Sequence, residues 1–204
     1  MRIIVIGATG TIGKAVVEAL QGGKHDVVQV GHESGSGDYQ VDLADKGSIE
    51  RLYEAVAPFD AVVSAAGLAK FGALDGLSDA DFQFSLASKL MGQVNLVRVG
   101  MAQIRDNGSF TLTSGVLSQE PTRGSTAISL VNSGLEGFVR AAALELPRGA
   151  RINVISPPWV SETLEAMGRD ADAGMPAAQV ARAYVESVEG SENGEVIDAR
   201  AYAY

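Results

Sequence analysis

The chain has 204 residues, of which 46% are hydrophobic and 20% charged, and its formal net charge is −9. These values are typical of one globular domain with a sizeable core, and the acidic balance disfavours a nucleic-acid or anionic-membrane surface. The chain has no cysteine, which excludes disulfides and thiolate chemistry, and its two histidines alone cannot form a typical zinc site. Apolar runs stay below the ~18 residues of a membrane span, and the chain opens on a strand pattern, so a cytoplasmic location is expected.

The first strand and the loop behind it are the most informative stretch. The apolar run Arg2–Ile6 predicts a buried strand, and a helical pattern starts near Lys14. The three glycines between them permit a tight turn, and the first helical amides lie unpaired at the positive end of the helix dipole. This context predicts a dinucleotide diphosphate site rather than a turn without ligand. The residues assigned to the site are Gly7, Thr9, Gly10, Thr11, Ile12 and Gly13.

The rest of the chain alternates strands with helices. Helices are predicted between the strands, and the two longest run from Asp79 to Ile104 and from Ala127 to Leu146. The alternation predicts one Rossmann-type α/β domain, a doubly wound parallel sheet of about seven strands in a three-layer α/β/α arrangement. The further strands are predicted at Asp26–Val30, Tyr39–Leu43, Phe59–Ser64, Ser109–Ser114, Arg151–Ser156 and Glu195–Ala199.

The end of the second strand bears on the choice of cofactor. In a dinucleotide fold this strand end meets the adenosine ribose, where an acid favours NAD and disfavours the 2′-phosphate of NADP. The strand-end position is not acidic here, and His32 and Ser34 offer donors to a phosphate. Glu33 argues for NAD if it points inward, and His32 is a solvated loop residue if no nucleotide binds. We predict NADP as the cofactor, with NAD as the alternative.

Several segments together resemble the short-chain dehydrogenase/reductase family over nearly the whole chain. They are the glycine loop, Asp42-Leu43, Ser64-Ala65-Ala66-Gly67, Thr113-Ser114-Gly115, the helix from Gly134 to Leu146 and the strand from Arg151 to Pro157. The resemblance implies a NAD(P)(H)-dependent oxidoreductase that transfers hydride between its cofactor and a small carbonyl or alcohol. It assigns further cofactor contacts to Asp42, Leu43, Ala65, Ala66, Gly67 and Pro157, and the nicotinamide carboxamide to the backbone of Val160, because Pro158 lacks an N–H.

The chain departs from the family pattern at its catalytic positions. The family uses a tyrosine as proton donor and a lysine four residues later that lowers its pKa, and Ile128 and Asn132 occupy these positions. Lys89 stands where a helix asparagine is usual, and Ser114 lies at the strand end that carries the catalytic serine. We therefore predict a Lys89–Ser114 catalytic pair in which Lys89 is the cation and proton donor. The alternative is a surface lysine, or one that contacts only the cofactor.

Two function classes stay open at this point. The missing tyrosine and lysine favour a catalytically silent dinucleotide-binding sensor or regulator, whereas Ser114, Lys89 and the strand that leads to the nicotinamide favour an enzyme with a non-standard proton donor. We prefer the enzyme, with a small-molecule substrate and neither a metal, a nucleic acid nor a membrane as partner. The two long helices resemble the family's subunit interface, so a homodimer or homotetramer is expected.

Overall fold

The computed structural model describes residues 1–33, 35 and 37–203, which form a seven-stranded sheet with every neighbouring pair parallel. The strands are β1 Arg2–Ile6, β2 Asp26–Gly31, β3 Tyr39–Gln40, β4 Phe59–Ser64, β5 Ile104–Thr113, β6 Arg151–Ser156 and β7 Val196–Asp198. Their order is β3-β2-β1-β4-β5-β6-β7. Strands β1 to β3 are therefore added toward one edge of the sheet and β4 to β7 toward the other, and the switch point lies between β1 and β4. This arrangement confirms the predicted doubly wound Rossmann-type fold.

Helices cover both faces of the sheet. They are α1 Thr11–Gly22, α2 Lys46–Val56, α3 Asp79–Ser85, α4 Gly92–Gly100, α5 Thr126–Ala142, α6 Ser161–Ala166 and α7 Ala177–Glu189. A π-helical turn, Leu86–Met91, joins α3 to α4 without a break. Short 3₁₀ turns follow β5, α6 and β7.

Two apolar cores lie on opposite faces of the sheet because side chains alternate along each strand. In β1, Ile3 and Val5 pack in the core formed with α1 and α7. Ile4 and Ile6, from the same strand, pack in the core formed with α2, α4 and α5. The predicted three-layer arrangement is therefore present.

Several predicted boundaries differ from the structure. The third strand is shorter than predicted, because beyond Gln40 the backbone turns and the Asp42 N–H bonds the Ser48 hydroxyl instead of a strand. The first long helix stops at Gly100 rather than Ile104, which already begins β5. The second long helix ends at Ala142, and turns lead from it to Pro147.

Membrane-spanning helices and clusters of metal-ligating side chains are both absent from the described residues. Within the described part of the chain, no helix has the length and apolar character needed to cross a bilayer. The same residues contain no group of three or more histidine and carboxylate side chains placed to hold a metal ion.

Candidate functional site

A cavity of about 530 Å³ opens at the carboxyl ends of β1, β2 and β4. In doubly wound sheets this edge, next to the point where the strand order reverses, is where ligands bind. Nine of the residues predicted to hold a cofactor line the cavity. They are Gly7, Thr9, Gly10, His32, Asp42, Leu43, Ala65, Ala66 and Gly67.

The glycine loop at one wall of the cavity is folded by close backbone contacts. Gly7 has a φ of 79°, and a Cβ there would lie 2.8 Å from the carbonyl oxygen of Ala65. Gly13 allows α1 to pack on the loop, because a Cβ at this position would overlap the carbonyl oxygen of Gly7. The loop therefore has the shape that the sequence predicts, and it requires glycine at both positions.

The start of α1 presents unpaired amides beside this wall. Gly10 is the N-cap and has no side chain to cap the helix. Among the described residues, the first-turn N–H groups of Thr11, Ile12 and Gly13 have no backbone acceptor, whereas the N–H of Lys14 donates to the carbonyl of Gly10 at 2.9 Å. Three free N–H groups at the positive end of a helix dipole suit a phosphate.

The far end of the cavity carries few charges. His32 is exposed, and its ring Nδ1 lies 3.4 Å from the carbonyl oxygen of Val41. The Asp42 carboxylate accepts a hydrogen bond from the Ala44 N–H at 2.9 Å and so shapes its own turn. No lysine or arginine lines the part of the cavity that the structure describes. Ser34, the other predicted phosphate ligand, lies outside the described residues.

The cavity extends beyond the residues that the sequence predicted. Phe84 lies on the exposed side of α3 and lines the cavity. An aromatic residue on the exposed side of a helix was the sequence signal that could have identified it as part of the site. The hydroxyl of Ser88 also accepts a hydrogen bond from the Leu68 N–H at 3.0 Å, which ties the loop after β4 to the π-helical turn. The additional lining residues are Ile6, Gly31, Val41, Ala44, Leu68, Phe84 and Ser88.

Pro157 and Val160, predicted on the nicotinamide side, follow β6 and do not line this cavity. The carbonyl oxygen of Pro157 accepts a hydrogen bond from the Val116 N–H at 3.1 Å. Val160 is buried and is the N-cap of α6, and no backbone acceptor for its own N–H is present in the described chain. A buried N–H without a partner is uncommon, and it is available to a ligand carbonyl.

Lys89 lies in the π-helical turn, next to the glycine that ends the β4 loop. A Cβ at Gly67, whose φ is 116°, would lie 3.0 Å from the Lys89 Cα and 3.3 Å from its Cγ. The lysine is partly buried, and burial lowers its pKa from 10.5 to about 8. Within the described residues its ammonium has neither an ion pair nor a hydrogen bond.

The predicted Lys89–Ser114 pair is not formed. Ser114 is 3% exposed, and its hydroxyl donates to the Glu136 carboxylate at 3.2 Å and to the Ile155 carbonyl oxygen at 3.3 Å. The Ser118 hydroxyl donates to the same Glu136 oxygen at 2.5 Å. Ser114 therefore anchors the loop after β5 to α5, and its hydroxyl points into the protein.

Gly115, the residue after Ser114, faces the altered catalytic positions instead. A Cβ at Gly115 would lie 3.1 Å from the Asn132 Nδ2, and that Nδ2 donates to the Gly115 carbonyl oxygen at 3.2 Å. The Asn132 Oδ1 is buried without a partner. Gly115, Ile128 and Asn132 together offer no titratable group, so a proton for chemistry here has to come from another residue.

Comparison with known proteins agrees with this architecture. The family model described as Enoyl-(Acyl carrier protein) reductase, adh_short_C2, matches residues 11–198. The chain therefore belongs to the short-chain dehydrogenase/reductase family.

Two curated relatives match part of the chain at less than 30% identity. The 2,3-dihydro-2,3-dihydroxybenzoate dehydrogenase of Escherichia coli (strain K12) is 29% identical over 164 residues, which cover 70% of this chain and 66% of that protein. The 3-oxoacyl-[acyl-carrier-protein] reductase of Rattus norvegicus is 26% identical over 128 residues, which cover 60% of this chain and 54% of that protein. The chain thus spans about half to two thirds of the length of these curated relatives.

Solved structures match over almost the full chain. The protein lin1944 from Listeria innocua is 40% identical with a TM-score of 0.92, and the match covers 97% of this chain and 98% of that one. A small-chain dehydrogenase crystallised in complex with NADPH is 25% identical with a TM-score of 0.84, covering 97% of this chain and 95% of that one.

Proposed function

We propose that this chain is an NADP(H)-dependent oxidoreductase of the short-chain type that reduces a small carbonyl compound, with Lys89 as its proton donor. The observation that carries the proposal is an unpaired, partly desolvated lysine packed against Gly67, which lines the cavity, together with the free helix amides beside the cavity wall. The amides of Thr11, Ile12 and Gly13 and the orphan Val160 N–H fit the phosphates and carboxamide of a nicotinamide dinucleotide.

In this mechanism the cofactor, when bound, supplies a hydride to the carbonyl carbon. The first-turn amides of α1 hold the diphosphate, and the Val160 N–H orients the nicotinamide. The Lys89 ammonium stabilises the negative charge that develops on the substrate oxygen and gives it a proton. The lysine is suited to this step because burial has already lowered its pKa to about 8, so proton release costs less than from a solvated lysine.

The choice of NADP over NAD rests on the far end of the cavity. The one carboxylate that lines the described part of the cavity is that of Asp42, and its hydrogen bond to Ala44 holds it in its own turn. His32 is exposed there and offers a donor to a 2′-phosphate. The NADPH complex of a 25% identical relative favours the same cofactor. NAD is the alternative.

A catalytically silent dinucleotide-binding regulator is the second candidate. The observation that favours it is the loss of every proton donor among Gly115, Ile128 and Asn132. Such a protein binds the cofactor through the same glycine loop and reports its redox state to a partner.

We test the proposal by fluorescence titration with NADPH and NADH, followed by single-turnover assays against a panel of small aldehydes and ketones. We expect tighter binding of NADPH and oxidation of the bound cofactor by part of the panel. Lys89→Met is expected to bind NADPH normally and to lose turnover by about 100-fold or more. The control is Lys46→Met, which removes an exposed lysine paired with Glu50. It is expected to retain both NADPH binding and turnover.

The outcomes separate the candidates. NADPH binding without turnover across the panel supports the regulator. Full turnover by Lys89→Met removes the lysine from the mechanism. A chain that binds neither NADPH nor NADH at millimolar concentration excludes both candidates.

We also propose that the chain is a homodimer or homotetramer through its two long helical stretches, the one from α3 to α4 and α5. Large apolar side chains are exposed along the helical stretch that ends in α4 and on α5. They are Met91 and Leu130. A second copy of the same surface would cover them.

A further inference from the structure

Gln93, in the first turn of α4, is the most completely buried polar side chain near Lys89. It is 0% exposed, and its amide makes three hydrogen bonds. Its Nε2 donates to the carbonyl oxygens of Lys89 at 3.1 Å and of Thr113 at 2.9 Å, and its Oε1 accepts from the Thr113 N–H at 2.8 Å. Because two carbonyls and one N–H surround the amide, only this orientation satisfies all three partners.

The amide takes the place of a missing strand residue at the end of the sheet. The last pair between β4 and β5 joins Val63 to Thr111, and β4 ends at Ser64. Thr113 therefore has no β4 residue for its N–H and carbonyl groups, whereas the next N–H, that of Ser114, pairs with Ile155 on the β6 side. Gln93 supplies both bonds that a neighbouring strand would have made.

The third hydrogen bond fixes the π-helical turn. In this turn the Gly92 N–H donates to the carbonyl of Ala87, five residues back instead of four. The turn therefore contains one residue more than a regular α-helical turn. The Gln93 amide binds the Lys89 carbonyl oxygen inside this turn. On the other side, Gly67 packs against the Lys89 Cα and Cγ.

We propose that Gln93 is a positioning residue: by joining the Lys89 carbonyl to the end of β5, it keeps the π-helical turn in place and the lysine side chain against Gly67. The importance of Gln93 for catalysis rests on the proposed function. Its effect on the position of Lys89 does not depend on turnover. Without the amide, the turn can relax to a regular α-helix, which shifts the register by one residue and rotates Lys89 by about 100° relative to α4.

The experiment follows the titration of Lys89 by NMR in the full chain labelled with ¹³C at the lysine Cε atoms. The chain has five lysines, Lys14, Lys24, Lys46, Lys70 and Lys89, so five signals are expected and Lys89→Met assigns one of them. The helices packed against the π-helical turn are α3, α4 and α5, and no ion pair or hydrogen bond in the described chain joins Lys89 to a charged residue on them or on the adjoining loops. These charged residues are Asp42, Lys70, Asp79, Asp81, Arg98, Glu136 and Arg140. A change in the Lys89 titration therefore reports a change in burial.

Gln93→Met preserves the side-chain length and removes all three hydrogen bonds. We expect the Lys89 pKa to rise from about 8 toward 10.5 as the amine gains solvent. The matched control is Ser187→Ala, which breaks a fully buried hydrogen bond to Thr111 far from the lysine, 2.8 Å long in the native chain. It is expected to leave the Lys89 titration unchanged although it also destabilises the core.

A Lys89 titration that stays near its native position in folded Gln93→Met overturns the inference. If Gln93→Met does not fold, Gln93→Asn keeps an amide that is too short to span Lys89 and Thr113, and the same upward shift is expected. An equal shift in Ser187→Ala also overturns it, because general loosening would then explain the effect. Since neither cofactor nor substrate is present, failure of the proposed enzymatic function leaves this result unaffected.

Discussion

At the scale of single residues, the position after β5 that faces the altered catalytic positions is the neighbour of the residue that the sequence predicts. Ser114 turns inward to Glu136, and Gly115 faces Asn132. Neighbouring strand residues point to opposite faces, and both faces of a parallel sheet are buried, so the pattern of apolar residues does not reveal which one faces the site. The glycine loop was predictable because Gly7 and Gly13 are required by backbone contacts that no other residue allows.

The role of Lys89 predicts a definite pH dependence. A proton donor must be protonated, so the rate of carbonyl reduction should be constant well below pH 8 and fall as the pH rises through the Lys89 pKa of about 8. Lys89→Arg should show low activity without this titration, since arginine keeps its proton. The pH profile of kcat measures both. A native profile that is flat between pH 6 and about 9.5 would contradict the role.

Two glycines in α1 allow a matched comparison. Gly13→Ala should abolish NADPH binding and destabilise the fold by about 1–3 kcal/mol, because the new methyl group overlaps the Gly7 carbonyl. Gly22→Ala meets no atom within 4 Å and should leave binding intact while stabilising the helix by up to about 1 kcal/mol. Urea denaturation and fluorescence titration test both variants. Equal NADPH affinity in the two would show that the loop does not hold the phosphates.

At the scale of elements, the interrupted helix from α3 to α4 shows where periodicity stops being informative. The sequence predicts one uninterrupted helix from Asp79 to Ile104, with an apolar stripe at helical spacing. The residues of this stripe are Phe82, Leu86, Leu90, Val94, Val97 and Met101. The π-helical turn adds a residue and shifts every following side chain by about 100°. Gln93 is polar and lies outside the predicted apolar stripe, so the sequence predicts a surface residue, but its side chain is buried in the core. A polar residue directly before the buried Val94 was its only signal.

The loop after β5 is attached to α5 through Glu136, and this attachment can be measured. Glu136→Leu should cost about 1–2 kcal/mol of stability because the hydroxyls of Ser114 and Ser118 lose their shared carboxylate and keep only carbonyl oxygens as acceptors. Glu136→Gln should cost less, since its amide oxygen still accepts. Arg140→Leu, which removes a partner 4.0 Å from the carboxylate at an exposed site, is the control with an effect below about 1 kcal/mol. Urea unfolding that ranks Arg140→Leu with Glu136→Leu would refute this assignment.

At the scale of the whole molecule, alternating strands and helices determine the fold almost completely. Every predicted strand is present, and the five other than the short edge strands β3 and β7 contain apolar runs bounded by glycine, proline or a helix signal. Assembly is not encoded in the same way. Exposed apolar residues on α5 and the π-helical turn, Leu130 and Met91, identify the surface on which we propose that two copies meet.

Oligomer formation through the two long helical stretches predicts that a charge on α5 disrupts the assembly. Leu130→Glu places a charge at the centre of the proposed interface and should convert the oligomer to monomers. Met167→Glu changes a comparably exposed side chain after α6 and should leave the assembly unchanged. Sedimentation equilibrium distinguishes the two. A native chain that is monomeric at high micromolar concentration would remove this interface.

The backbone at Gly115 makes the loss of the family's catalytic residues hard to reverse. Of the other two positions, Asn132 is buried and donates to the Gly115 carbonyl oxygen. A serine at position 115 would have to adopt a φ of 153° and approach the residue at 132, a conformation that L-residues rarely adopt. Placing the family's serine, tyrosine and lysine at positions 115, 128 and 132 therefore requires the loop to be rebuilt as well, so a variant with only these three substitutions should turn over no faster than the native chain.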